Sequence, residues 1–277
     1  LKSLLTFKTL LNFKYLIRPR SEEILGVRAM IVVFVGTAGS GKTTLTGEFG
    51  RYLEDNYKVA YVNLDTGVKE LPYEPSIDVR EFVTVEEIMR EGYGPNGAIV
   101  ESYDRLMEKF NEYLNKILRL EKENDYVLID TPGQMETFLF HEFGVRLMEN
   151  LPYPLVVYIS DPEILKKPND YCFVRFFALL IDLRLGATTI PALNKVDLLS
   201  EEEKERHRKY FEDIDYLTAR LKLDPSMQGL MAYKMCSMMT EVLPPVRVLY
   251  LSAKTREGFE DLETLAYEHY CTCGDLT

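Results

Sequence analysis

The chain has 277 residues, with 33 Lys and Arg against 44 Asp and Glu, for a formal net charge of −11. A chain of this length buries a sizeable core, and its 46% hydrophobic and 28% charged residues are those of a globular protein. The negative charge argues against direct nucleic-acid binding, and no apolar run reaches the ~18 residues that a bilayer span requires.

Leu1–Ala29 stands apart from the rest of the chain. Its first twenty residues carry Lys2, Lys8, Lys14, Arg18 and Arg20 and no acid. It reads as an extension that adds nothing to the fold; a basic amphipathic arm or a targeting leader is the second reading. From residue 30 to 277 short oily strands alternate with longer helical stretches, with no repeat or low-complexity linker. That pattern predicts one α/β domain: a mostly parallel sheet covered by helices on both faces, with helical insertions.

In chain order, Ile31–Val35 is a β-branched and aromatic run suited to a buried parallel strand. Gly36–Gly41 is a loop and Lys42–Asp55 a helix. Val59–Leu64 is the next strand, ending at Asp65. Pro72–Pro75 is a loop, Val85–Arg90 is helical, and Gly92-Tyr93-Gly94-Pro95-Asn96-Gly97 breaks the chain. Ser102–Asn124 reads as one long, charged amphipathic helix. Tyr126–Ile129 is a strand ending at Asp130. Leu155–Ser160 is another, with a helix after it over Tyr171–Leu185. Thr188–Leu193 is a strand leading into Asn194. Ser200–Leu221 reads as one charged helix, with Ser200 and Glu203 spaced as a capping box. The methionine-rich run Met227–Met239 reads as core packing ahead of an adaptable binding surface. Val246–Leu251 is the last strand and Gly258–Tyr270 the last helix.

The cysteines, Cys172, Cys236, Cys271 and Cys273, show no framework spacing, which points to a reduced, cytoplasmic compartment. Cys271 and Cys273 could share a metal, but no second Cys or His pair stands at ligand spacing.

Gly36-Thr37-Ala38-Gly39-Ser40-Gly41-Lys42-Thr43 fits G-x-x-x-x-G-K-[ST], and it lies between a strand and a helix as that phosphate loop requires. Glycines let the backbone of Gly36, Ala38, Gly39, Ser40, Gly41 and Thr44 approach phosphate closely. Lys42 would neutralise β- and γ-phosphate charge, and the Thr43 hydroxyl would ligate Mg2+. Asp130 ends an oily strand and opens Asp130-Thr131-Pro132-Gly133, where a magnesium-organising carboxylate belongs. Gly133 could offer its N–H to the γ-phosphate.

Asn194-Lys195-Val196-Asp197 comes after another strand. Guanine has two adjacent donors, N1–H and the N2 amine, and the Asp197 carboxylate can accept both. Adenine has neither, so the base is selected by the cost of an unpaired acceptor. Lys195 would lie along the base and Asn194 would hold the pocket together. Ser252-Ala253-Lys254 ends the last strand, where the N–H near Ala253 would meet guanine O6. All these segments sit at strand ends, where ligands of such sheets bind. The ligand expected is GTP or GDP.

With these residues in place, the chain resembles the GPN-loop GTPases from Met30 to about Tyr270. The specific elements are Gly94-Pro95-Asn96, Asn63-Leu64-Asp65, Leu71-Pro72-Tyr73-Glu74-Pro75 and Asp130-Thr131-Pro132-Gly133-Gln134-Met135-Glu136. The resemblance implies GTP hydrolysis by a homodimer in which the Gly94-Pro95-Asn96 loop reaches the partner's nucleotide. Asn96 would act near the γ-phosphate in trans. Asp65 would lie near Mg2+ or the attacking water, with Gln134 and Glu136 as the other water-positioning residues. It also implies a client such as RNA polymerase during its assembly. Thr66-Gly67 departs from the Pro-Ala that many family members carry.

Other readings remain. A metal-insertion GTPase would need a Cys/His cluster. A membrane-protein targeting ATPase would carry a lysine at Thr37 and lack N-K-x-D. A metabolic kinase would carry an arginine-rich lid. A client-binding module would hydrolyse little.

Overall fold

A computed structural model describes residues 29–242 and 247–272. The extension expected over residues 1–29 therefore lies almost wholly outside the described residues, as does Cys273. The strands are β1 (Met30–Gly36), β2 (Val59–Asn63), β3 (Ile77–Asp78), β4 (Tyr126–Asp130), β5 (Leu155–Ser160), β6 (Thr189–Leu193) and β7 (Leu249–Tyr250). The helices are α1 (Lys42–Leu53), α2 (Val85–Arg90), α3 (Pro95–Glu108), α4 (Phe110–Glu123), α5 (Met135–Phe140), α6 (Glu142–Asn150), α7 (Pro168–Leu185), α8 (Glu201–Glu212), α9 (Ile214–Lys222), α10 (Met227–Val242) and α11 (Phe259–Thr272).

The strands form one sheet in the order β3-β2-β4-β1-β5-β6-β7, and every pairing among the described residues is parallel. Oily residues of successive strand positions serve opposite faces. In β1, Ile31, Val33 and Val35 enter one apolar cluster while Val32 and Phe34 enter the other. In β4, Val127 and Ile129 join the first, and Tyr126 and Leu128 the second. Burial on both faces explains why these strands carry no polar alternation.

Register places the functional ends together. Phe34 and Asn63 both pair with Asp130, Gly36 with Ile159, and Ser160 with Leu193. The loops after β1, β2, β4, β5 and β6 therefore leave one edge side by side. The chain turns left from β1 to β2 and β4, then right to β5, so the sheet order reverses around β1. Ligands of open α/β sheets bind at such a point.

Several boundaries differ from expectation. The 92–97 stretch is not simply a break: Gly94 is the N-cap of α3 and Pro95 occupies its first turn. Proline is favoured there because its missing N–H needs no partner. The predicted Ser102–Asn124 helix is two, α3 and α4, parted at Lys109, whose φ of −108° and ψ of 15° leave helical geometry. Lysine carries no turn signal. The predicted Ser200–Leu221 helix is also two. Asp213 stops α8 and caps α9 by accepting from Tyr216 N at 2.8 Å, a signal that was legible. The Ser200–Glu203 capping box is present. In α10, Met239 is buried, but Met227, Met231 and Met238 are more than half exposed, so core packing describes only part of that helix. No helix among the described residues is long and apolar enough to cross a membrane.

Candidate functional site

The phosphate loop is held by backbone geometry that side chains would spoil. A Cβ on Gly36 would lie 2.5 Å from the Ile159 carbonyl oxygen. Gly39 and Gly41 have φ of 78° and 91°, in the left-handed region. A Cβ on Gly41 would lie 2.5 Å from Nδ2 of Asn194. Gly41→Ala is therefore expected to weaken nucleotide binding about tenfold or more, given ~1–2 kcal/mol for the left-handed conformation alone, with the sheet intact. Calorimetric titration beside a melting curve checks it; unchanged affinity would contradict the strain.

Lys42 begins α1 and is buried. Its Nζ donates to the carbonyls of Gly36 at 2.7 Å and Thr37 at 3.0 Å, so the ammonium lies across the loop. Burial lowers its pKa, and the charges of Asp130, Asp65 and Glu136 work against that lowering. The expected magnesium and water-positioning carboxylates therefore all act on this lysine.

Asp130 is fully buried, and burial pushes its carboxyl up to about 6. Its Oδ2 accepts from the Tyr73 hydroxyl at 2.9 Å, whereas Oδ1 has no hydrogen-bond partner. The Thr43 side chain lies close enough to favour the ionised form. An orphaned buried carboxylate oxygen costs free energy unless something positive fills the gap.

Asp65 joins two loops. Its Oδ2 accepts from Gly133 N at 3.0 Å and its Oδ1 from Gly67 N at 2.8 Å. The Gly133 N–H expected to meet the γ-phosphate is thus held by Asp65 here. Asn63 fixes this segment by accepting from Asp65 N at 3.0 Å and donating to Asp78 at 2.9 Å. Gln134 and Glu136 are exposed, at the N-cap and first turn of α5.

On the other side of β1, Asn194 is buried and its Nδ2 donates to the Ser40 carbonyl at 2.9 Å, which ties the base loop to the phosphate loop. Lys195 has a φ of 64° and its Nζ pairs with Asp161 at 2.7 Å. Asp197 Oδ1 accepts from Ser252 Oγ at 2.7 Å, and that same Oγ accepts from the N–H of Lys254 and Thr255. The serine thus aims the aspartate and shapes the Ala253 turn together.

Gly94, Pro95 and Asn96 are exposed at the start of α3. That helix is fastened to the Asp65 segment. Ser102 Oγ and Thr66 Oγ1, both buried, lie 2.8 Å apart, and the Tyr103 hydroxyl donates to the Leu64 carbonyl. Thr66, the departure from Pro-Ala, is an anchor. Sequence reasoning missed Tyr73, Asp161, Thr66 and Ser102 as site residues. Tyr73 stands in the Leu71–Pro75 family segment, which carried no role, Thr66 stood out only as the departure from Pro-Ala, and Asp161 and Ser102 gave no local signal. No group of three or more His, Cys, Asp or Glu is placed to hold a metal among the described residues, which leaves Cys271 without such company there.

The pattern of a family described as "Conserved hypothetical ATP binding protein" matches residues 34–272. GPN-loop GTPase 1 of Dictyostelium discoideum is 30% identical over 235 residues, covering 83% of this chain and 59% of that protein. GPN-loop GTPase QQT2 of Arabidopsis thaliana is 30% identical over 244 residues, covering 85% and 64% respectively. The chain thus spans about two thirds or less of these relatives' length. Among solved structures, the hydrogenase maturation factor HypB of Archaeoglobus fulgidus is similar at 14% identity and a TM-score of 0.41, covering 98% of this chain and 100% of that one. So low a score leaves the fold to rest on the parallel sheet itself. The family match spans the phosphate loop, the Gly94-Pro95-Asn96 turn and the base loop in one run, and the chain belongs to the GPN-loop GTPase family.

Proposed function

We propose that this protein binds GTP with Mg2+ at the carboxyl edge of the sheet and hydrolyses it to GDP and phosphate. The observation that carries the base assignment is Asp197, held by Ser252 beside a loop that Asn194 ties to Ser40. Only a base with two adjacent donors repays that carboxylate for leaving water. The family description names ATP, but adenine would leave the acceptor unpaired.

Magnesium fits the oxygen set at the phosphate loop: the Thr43 hydroxyl, the Asp65 carboxylate and the partnerless Oδ1 of Asp130. Bound there, it would neutralise charge on the β- and γ-phosphates. The chain's own residues do the rest. Loop N–H groups and Lys42 would orient the phosphates, and Asp65, Gln134 or Glu136 would hold the attacking water. Asn96 of a second copy would donate to the γ-phosphate, which makes the working unit a homodimer. The exposed position of Gly94-Pro95-Asn96 supports this reading. A cytoplasmic, nucleotide-dependent assembly role, with RNA polymerase as the client that the resemblance implies, completes the proposal.

The test is competition for a fluorescent GDP. GTP is expected to displace it at least a hundredfold better than ATP, the size of a buried polar mismatch of a few kcal/mol. Equal displacement would sink the base assignment.

A further inference from the structure

We infer that Tyr73 is a positioning residue for the magnesium carboxylate: its phenol, donating to Oδ2 of Asp130 at 2.9 Å, orients that carboxylate and leaves Oδ1 as its free oxygen. This rests on the reading of Asp130 as a magnesium ligand and extends it to the group that holds Asp130 in place.

The two carboxylate oxygens have different surroundings. Oδ2 accepts from the Tyr73 phenol; Oδ1 has no partner within hydrogen-bond geometry, although the Thr43 hydroxyl, the other proposed magnesium ligand, lies near the carboxylate. Metal-binding carboxylates are commonly oriented in this way, by a hydrogen bond to the oxygen that does not serve the metal. A neutral donor suits the task, because a cation would compete with magnesium for the same charge.

The tyrosine is itself held on several sides. Its ring stacks on Tyr61 with centroids 5.0 Å apart and planes at 15°. Arg51 donates to the Pro72 carbonyl at 2.6 Å, and Ser76 N donates to the Tyr61 carbonyl at 2.8 Å, so the backbone is pinned before and after it. Gly47 of α1 leaves room for the segment, since a Cβ there would lie 3.1 Å from Pro72 and 3.3 Å from Tyr73. The other side of the residue lines an open cavity of about 590 Å³ with Arg51, Glu54, Tyr61, Pro72 and Pro75. Tyr73 is therefore held against Asp130 by groups outside the phosphate loop.

The test is Tyr73→Phe, which removes one hydroxyl and keeps the stack. The readout is the magnesium concentration that half-maximally slows release of fluorescent GDP. Loss of an outer-shell partner costs roughly 10–100-fold in metal affinity, so the half-point is expected to rise by that factor. GDP affinity in chelator is expected to equal that of the wild type, and hydrolysis to recover at high magnesium. In an Asp130→Asn background, Tyr73→Phe should shift the half-point no further. Tyr61→Phe, which loses only its bond to Glu54 at 2.8 Å, should leave it unmoved. An unchanged half-point in Tyr73→Phe overturns the inference, and so does an equal rise in Tyr61→Phe, which would mean general loosening. If melting shows that Tyr73→Phe does not fold, a ring-fluorinated tyrosine at the same position keeps the shape and changes the donor strength. A shifted half-point then supports the role, and no shift overturns it. Wild-type protein that neither binds nor hydrolyses GTP would instead sink the underlying reading.

Discussion

Asp197→Asn is expected to turn a guanine pocket into one that prefers xanthine. The carboxylate accepts from N1–H and the N2 amine of guanine. An amide accepts only one of these and turns an N–H towards the other. Two charge-assisted hydrogen bonds at ~1.5–3 kcal/mol each give a loss of GTP affinity on the order of 10²–10⁴. Xanthine carries a carbonyl where guanine carries the amine, so it accepts from the new N–H. Xanthosine triphosphate should bind the variant within about tenfold of the wild-type affinity for GTP. Ser252 still finds an oxygen on the amide, so the melting temperature should barely move. Competition against fluorescent GDP measures all three nucleotides. A variant that keeps wild-type GTP affinity would remove Asp197 from the base site.

Asn96→Ala is expected to lower hydrolysis by about 10²–10³, the usual cost of losing one preorganised donor to a transition-state oxygen. GDP affinity should stay within a few-fold, because Asn96 is exposed in the first turn of α3 and is not part of its own chain's phosphate loop. Mixing gives a sharper outcome. Lys42→Ala protein cannot cradle phosphate but still carries an intact Asn96. Added in excess to Asn96→Ala protein, it should restore turnover, since each mixed dimer then has one complete site. Light scattering in the presence of GTP should show twice the chain mass. A monomer with no recovery on mixing would rule out catalysis in trans.

The fold was legible wherever the sequence signal is strong. Strands buried on both faces announce themselves as oily runs, so β1, β4 and β5 were readable to within a residue or two. β1 leads to Lys42, β4 ends at Asp130 and β6 leads into Asn194, and the parallel register brings those ends to one edge. Weak signals failed in definable ways. β3 has two residues and no pattern to detect. Lys109 ends α3 with a residue that favours helices, so the break there is a tertiary effect. α5 and α6 are separated by His141, whose Nδ1 accepts from Phe143 N at 3.1 Å, an unusual cap. The site's supporting contacts were invisible for another reason. Tyr73 meets Asp130 across 57 residues and Asn194 meets Ser40 across 154, and no local pattern encodes such a pairing.

The buried hydroxyl pair of Thr66 and Ser102 has a mechanical consequence. The Asp65 segment and α3 share three fastenings: Thr66 to Ser102, Tyr103 to Leu64, and Val85 N to the Thr66 carbonyl, the last through neighbouring α2. Freeing any one of them strands a buried polar group, at about 1–3 kcal/mol. The helix is therefore a lever whose fulcrum sits beside Asp65. Six residues at 1.5 Å each put Asn96 about 9 Å out along its arm. On the function proposed above, an Asp65 loop that moved with a bound γ-phosphate would carry the exposed tip with it, and a neighbouring molecule resting on that tip would feel how many phosphates this one holds.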